Sequence, residues 1–231
     1  FKSVTKKYGE NTVVDHLNLS IPAGKITVFV GPSGCGKTTS LRMINRMVEH
    51  TSGTIVVKGE DNTERPAYEL RRSMGYVLQQ AGLMPHSTIL DNIATVPRLN
   101  GAPARQAKKQ ALELLNTVGL DDSFAKRYPA QLSGGQAQRV GVARALASES
   151  SILLMDEPFS AVDPVVRADL QKELLRLQGT LGRTIIFVTH DMDEAILLGD
   201  YVAVFARGGR IAQFGTPEEI LREPADDFVA S

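Results

Sequence analysis

The chain has no tryptophan, a single cysteine and no excess of charge of either sign. Each shortage excludes something. One cysteine, Cys35, forbids an internal disulfide, and a reducing compartment is its natural setting. Lysine plus arginine number 26 and aspartate plus glutamate also number 26, so the formal net charge is zero. A constitutive nucleic-acid binder usually carries a basic excess, so no nucleic-acid partner is expected. No apolar run approaches the roughly 20 residues that a membrane span needs. Repeats, low-complexity tracts and a signal-peptide pattern are also missing, and the sequence starts at Phe1 rather than at a methionine. If this protein serves a membrane, it does so through other subunits.

What is present suits one large domain, or a core with a subdomain: 231 residues, 42% of them hydrophobic. Leu17, Leu19 and Ile21 alternate with polar residues and predict a half-buried strand. Ile26–Val30 predicts a short apolar strand, Leu41–Val48 a helix and Gly53–Gly59 another strand. Pro103–Val118 has apolar positions at helical spacing, and with its neighbours predicts a helical subdomain over about 82–147, leaving 1–81 and 148–231 as the core. Ile152–Met155 and Thr184–Val188 are compact apolar runs of the kind found in parallel strands buried on both faces. Between them, Leu170, Leu174, Leu177 and Leu181 form one stripe of a helix over Val165–Leu181. Tyr201–Ala206 and Arg210–Phe214 flank Gly208-Gly209 as a hairpin, and Thr216-Pro217-Glu218-Glu219 starts a helix. This alternation indicates an α/β fold with a mostly parallel core sheet.

Gly31-Pro32-Ser33-Gly34-Cys35-Gly36-Lys37-Thr38 fits G-x-x-x-x-G-K-[ST], between a predicted strand and a predicted helix, and Thr39 after it joins the candidate cofactor-binding residues. Glycines let the backbone curl so that several N–H groups face phosphate oxygens, and the following helix adds its positive end. Lys37 is placed to reach the β- and γ-phosphates, and the Thr38 hydroxyl to ligate Mg²⁺. The motif implies a nucleotide but not a function, since kinases, GTPases and transport ATPases share it. Asp156 and Glu157 end the next buried run, at the carboxyl edge where open α/β sheets bind ligands. Asp156 suits Mg²⁺ held through water, and Glu157 suits orienting and deprotonating an attacking water. Two acids there are also compatible with a solvated strand end. His190 follows Thr184–Val188 in the same way and is a candidate γ-phosphate sensor, although a lone histidine is more often structural. Gln79 can offer its amide oxygen to Mg²⁺ or water.

Leu132-Ser133-Gly134-Gly135-Gln136 adds a second phosphate-binding device: two glycines before a helix, with a hydroxyl beside them. A chain that needs one ATP does not need two. With the other motifs, this segment resembles the signature of the ATP-binding-cassette family, and the resemblance covers essentially the whole chain. That family orders an aromatic adenine platform, phosphate loop, glutamine loop, signature, Asp-Glu strand, D-loop and switch histidine. Tyr8, Gly31–Thr38, Gln79, Leu132–Gln136, Asp156-Glu157, Ser160–Asp163 and His190 stand here in that order. The resemblance implies a P-loop NTPase with a RecA-like core, an N-terminal antiparallel β subdomain and an inserted helical subdomain. It further implies that Tyr8 stacks on adenine, that Ser133, Gly134, Gly135 and Gln136 meet the nucleotide of a second copy, that Asp163 borders the site, and that ATP and Mg²⁺ are bound. Val162, where leucine is common, and Cys35 are minor departures.

The Gln79–Asn92 segment resembles the stretch that faces the transmembrane permease subunits of bacterial importers. Met43–Ile55, Gln79-Gln80 and Phe159–Gln178 resemble the branch that imports glycine betaine, carnitine or choline, with polar amino acid importers close by. That implies a homodimer on the cytoplasmic face of a bacterial membrane, fed indirectly by a substrate-binding protein. Many cassettes of that branch continue into paired regulatory domains of the cystathionine-β-synthase type. Such an extension would begin near Asp226–Ser231, and the resemblance implies a longer natural chain. Chromosome-organising cassettes fit poorly: they separate the two glycine-rich motifs by a long coiled coil, whereas here about one hundred residues without heptads intervene. Ribosome-associated cassettes carry two ATPase units in one chain.

Overall fold

Short strands and helices alternate along the chain in the computed structural model, which describes residues 1–226 and 229. In chain order the strands and helices are β1 (Lys2–Tyr8), β2 (Asn11–Leu17), β3 (Ile26–Val30), α1 (Lys37–Ile44), β4 (Ser52–Thr54), β5 (Val56–Val57), β6 (Glu60–Asp61), α2 (Ala67–Arg72), β7 (Gly75–Val77), α3 (Ile89–Leu99), α4 (Ala104–Thr117), α5 (Gly134–Ala147), β8 (Ile152–Asp156), α6 (Pro164–Leu181), β9 (Thr184–Val188), α7 (Met192–Leu198), β10 (Tyr201–Ala206), β11 (Arg210–Gly215) and α8 (Pro217–Arg222). The residues at which a regulatory extension was expected to begin include Asp227, Phe228, Ala230 and Ser231, which lie outside the described ones. The chain divides into two compact units, Phe1–Arg71 with Thr184–Ser231, and Arg72–Arg183.

In the first unit, β3 lies between β10 and β9 and is parallel to both. All five residues of β3 are buried, which is why Ile26–Val30 reads as an apolar run interrupted only by Thr27. Phe29 of β3 meets Phe205 of β10 with ring centroids 5.0 Å apart, a tilted pair that fixes the register of the two strands. β11 closes this edge as the antiparallel arm of the expected hairpin. A separate antiparallel sheet runs β2-β1-β4.

In the second unit, β7 and β8 pair in parallel, with Tyr76 opposite Leu154. Helices α3, α4 and α5 pack on one another. Ala107, Ala111 and Leu115 form the buried stripe of α4, at the four-residue spacing that aligns side chains on one helix face. Asn92 of α3 is fully buried and ties down the preceding loop. Its amide donates to the carbonyls of Met84, Ser87 and Thr88 at 3.0–3.1 Å, and its oxygen accepts from Met84 N–H at 2.7 Å.

Three local expectations need correction. The strand expected at Leu17–Ile21 ends at Leu17. Leu19 is nevertheless buried and exchanges backbone hydrogen bonds with Phe1, so the alternation reported burial rather than a ladder. The helix after the phosphate loop spans Lys37–Ile44, not Leu41–Val48, because Gly36 caps it directly. The strand expected over Gly53–Gly59 is broken into β4 and β5. In α6, Leu170 and Leu174 are buried but Leu181 is half exposed, so the leucine stripe outlasts the core it faces.

Candidate functional site

The candidate residues fall into two sets, one in each unit. In the first unit, β3 runs straight into the Gly31–Thr38 loop. Gly31 and Gly36 have φ of +146° and +98°. A Cβ at Gly31 would stand 2.3 Å from the Phe205 carbonyl oxygen, and one at Gly36 would stand 2.8 Å from that of Val13. Neither neighbour is a side chain that could swing away, so only glycine fits. Ser33 and Gly34 form the exposed crest, and a Cβ on Gly34 would meet open space. Cys35 is buried below them.

Lys37, the first residue of α1, is 5% exposed. Its ammonium donates to the carbonyls of Gly31 at 2.6 Å and Pro32 at 2.9 Å, with Cys35 Sγ 3.7 Å away. A desolvated ammonium held by carbonyl dipoles alone is incompletely compensated, which makes this loop a receptor for negative charge. Thr38 and Thr39 follow on the first turn of α1, at its positive end. Tyr8 ends β1 with 52% of its surface exposed, and Lys6 Nζ stands 4.6 Å from its ring centroid. His190 is exposed between β9 and α7. Its neighbours are fixed on both sides. Thr189 N–H donates to the Phe29 carbonyl at 3.1 Å, and the Asp191 carboxylate caps α7 by accepting from the N–H groups of Asp193 and Glu194. Neither Lys6 nor Asp191 was singled out from sequence; an S/T/D cap pattern after the histidine was the available signal for Asp191.

In the second unit, Asp156 ends β8 fully buried. Glu157 then turns into the left-handed region at φ +45°, a conformation that costs a non-glycine residue about 1–3 kcal/mol and persists only where its surroundings enforce it. The enforcing contacts include Ser160, whose N–H and hydroxyl donate to the Glu157 carbonyl at 3.2 and 3.0 Å. Gln79 Nε2 donates to Glu157 Oε2 at 3.3 Å, so the structure brings these two candidates together and leaves the Gln79 amide oxygen as an acceptor.

Ser133 is the N-cap of α5. Its hydroxyl oxygen accepts from Gln136 N–H at 3.2 Å and its own N–H donates to Gln136 Oε1 at 2.9 Å, a reciprocal capping box. Gln136 thus spends its side-chain oxygen on the cap. The N–H groups of Gly134 and Gly135 belong to the first turn, where no intrahelical partner exists for them. A Cβ at Gly135 would stand 3.0 Å from the Ala161 carbonyl, so this helix start packs closely on the Ser160–Asp163 turn. Asp163 in turn caps α6 by accepting from Val166 N–H at 3.1 Å.

Sequence reasoning missed the clamp between α5 and the segment after Gln79. Arg144 donates to the carbonyls of Ala81 and Gly82 at 2.7 and 2.8 Å, and burial lowers its guanidinium pKa. Gln138, 2% exposed, donates to the Leu78 carbonyl at 3.0 Å. The available signal was the presence of Gln138 and Arg144 among the alanines and valines of α5.

A family model described as ABC transporter matches residues 14–160. The chain belongs to the ABC transporter family. It is 52% identical over 99% of its length to the choline transport ATP-binding protein OpuBA of Bacillus subtilis (strain 168), and covers 60% of that protein. The same figures relate it to the glycine betaine/carnitine/choline transport ATP-binding protein OpuCA of that organism, so the chain spans well under two thirds of the length of these relatives. It also superposes on the dimeric structure of a post-hydrolysis state of the ATP-binding cassette MJ0796 bound to ADP and Pi, with a TM-score of 0.86 and 32% identity over 94% of this chain and 97% of that one. Its fold is therefore the α/β P-loop NTPase fold of an ABC cassette, a family that binds ATP. Among the described residues, no helix is long and apolar enough to cross a membrane.

Proposed function

We propose that this chain is the ATP-hydrolysing subunit of an ABC importer that takes up a quaternary-amine osmoprotectant such as glycine betaine, carnitine or choline. The ordered set from Tyr8 to His190, with a second glycine-rich helix start at Ser133, carries the ATPase reading. The names of relatives half identical to this chain support the solute class. An importer for amino acids is the second reading, favoured only by closeness of sequence within the family. The chain is read as a core over 1–81 and 148–231 with a helical subdomain over 82–147. It acts as a homodimer on the cytoplasmic face of the membrane, with permease subunits as partners and a substrate-binding protein as an indirect one.

In this reading Tyr8 stacks on adenine, and the Gly31–Thr38 loop with Lys37 holds the β- and γ-phosphates. Thr38, Gln79 and Asp156 offer hydroxyl, amide and carboxylate oxygens, the hard donors that suit Mg²⁺. The metal ion, when bound, neutralises charge on the β- and γ-phosphate oxygens. Glu157 orients the attacking water and takes its proton, and the Gln79 amide, 3.3 Å away, fixes the carboxylate for that task. His190 donates to the γ-phosphate as charge builds on it. The N–H groups of Gly134 and Gly135, with the Ser133 hydroxyl, meet the nucleotide of the other copy, so ATP closes the dimer and hydrolysis reopens it. Asp163 and Gln136 keep the loop that does this in shape.

Uptake of labelled glycine betaine, carnitine and choline in a strain deleted for the gene tests the reading. Wild type restores uptake of at least one. Glu157→Gln binds ATP normally but loses about 10²–10⁴-fold in turnover and restores nothing. Restoration of none by an ATPase-active wild type discards the osmoprotectant branch and keeps the cassette.

A further inference from the structure

The first unit carries a cavity of about 470 Å³ that none of the nucleotide motifs line. It lies against the face of β1 that bears Thr5 and Lys7. Tyr8 and Lys6 pair with each other, and neither is among the cavity's lining residues. The cavity is therefore not an extension of the adenine platform.

Its charges are unbalanced. Asp15 is the one carboxylate among the lining residues, and it is already engaged twice. Arg210 grips its Oδ2 through Nη2 at 2.7 Å and Nε at 3.2 Å, and His16 Nδ1 stands 2.7 Å from its Oδ1. The Arg210 hydrogen bond, then that of His16, hold the Asp15 carboxyl below its ordinary pKa, so it stays ionised and occupied. That leaves Lys7 and Arg207 lining the same cavity, with no carboxylate paired to either among the described residues. Hydroxyls, including that of Ser52, fill the rest of the polar wall.

The rim is also strained. His16 sits at φ +46°, where its N–H donates to Thr5 Oγ1 at 3.1 Å and its carbonyl accepts from Asn18 Nδ2 at 3.0 Å. These bonds hold the backbone of a non-glycine residue in a conformation worth about 1–3 kcal/mol of strain, and its imidazole lies at the cavity edge.

We propose that this cavity binds a small phosphate-bearing anion. Two uncompensated cations match its charge, hydroxyls and the imidazole match its acceptor oxygens, and the volume falls in the range of about 300–1,000 Å³ typical of ligand sites. The space exceeds that of bare phosphate, so the ligand is a phosphorylated small molecule or the headgroup of an anionic lipid. The proposal is independent of which solute is transported.

The phosphate loop would itself take a phosphorylated probe, and it is close: the Val13 carbonyl and Gly209 Cα both pack on Gly36. The loop is therefore first saturated with a non-hydrolysable Mg-ATP analogue, and pyrophosphate is titrated by calorimetry. In parallel, the protein is sedimented with phosphatidylglycerol or phosphatidylcholine vesicles. The wild type is expected to bind pyrophosphate or phosphatidylglycerol saturably. Lys7→Ala/Arg207→Ala weakens that binding about tenfold or more while leaving affinity for the ATP analogue unchanged. A pyrophosphate response assigns a free ligand, and a phosphatidylglycerol response alone assigns a headgroup. Absence of both overturns the proposal. So does an equal loss in Lys2→Ala/Lys126→Ala, which removes two exposed cations elsewhere.

Discussion

The phosphate loop and the Leu132–Gln136 loop both place glycines ahead of a helix, yet they use them differently. In the first, Gly31 and Gly36 have positive φ and are hemmed in by backbone carbonyls of Phe205 and Val13. In the second, Gly134 and Gly135 are ordinary helical residues, and a Cβ on Gly134 would touch nothing. The first loop needs glycine to exist in its own fold. The second has no such need at Gly134, so glycine there serves something the chain does not itself supply. The proposed approach of a partner's nucleotide to the bare helix start would account for it.

The widest separation between the two loops should appear in stability. Gly31→Ala forces a Cβ against a fixed carbonyl and should cost about 2–4 kcal/mol, seen as a large drop in denaturant midpoint. Gly134→Ala should stay within about 0.5 kcal/mol of wild type, or gain slightly from unfolded-state entropy, while impairing ATP-dependent dimerisation. Equal losses from both would erase the distinction. Next in size is Lys37→Ala. Its charge-assisted bonds are worth about 1.5–3 kcal/mol each, so affinity for ATP by equilibrium dialysis should fall at least tenfold. Melting temperature should hold, because the hydrogen bonds of the buried ammonium go to its own loop, to the Gly31 and Pro32 carbonyls and Cys35 Sγ. Unfolding of this variant would mean that Lys37 supports the loop rather than the ligand.

The phosphate loop, the Asp156-Glu157 strand end and the signature were legible because each is a contiguous motif with its own local geometry. Ile26–Val30 and Thr184–Val188 were legible because burial on both faces leaves runs that are apolar apart from Thr27 and Thr184. The rest depended on partners distant in sequence. The left-handed turn at Glu157 has no glycine to announce it, and the Gln79–Glu157 contact joins residues 78 positions apart. The clamp of Arg144 on Ala81 and Gly82 similarly spans more than 60 positions. Leu19 misled because alternation reports which side chains are buried, and Leu19 is buried without belonging to a strand.

Two smaller effects sharpen the comparison within the second unit, where the starts of α5 and α3 are capped by different chemistry. At α5 both partners, Ser133 and Gln136, are uncharged. Ser133→Ala should therefore cost about 1 kcal/mol at any pH where the protein folds. At α3 the cap is ionic: Thr88 Oγ1 accepts from Asp91 N–H at 3.1 Å and its hydroxyl donates to Asp91 Oδ2 at 2.8 Å. Lys108 Nζ stands 3.1 Å from the other oxygen. The Thr88 hydrogen bond, and after it the Lys108 contact, hold the Asp91 carboxyl below its ordinary pKa against the opposing effect of burial. A depressed folded-state pKa means that this contribution is present above the unfolded value of about 3.9 and is lost as pH falls through the folded value. Asp91 is partly solvated, so screening limits the contribution to about 1 kcal/mol or less. Asp91→Asn should thus be slightly less stable than wild type at pH 7, and urea midpoints should converge as the pH drops below 4. The Ser133→Ala difference should persist over the same range. If both differences faded together, the acid effect would belong to the whole unit, and the distinction between a neutral and an ionic cap would fail.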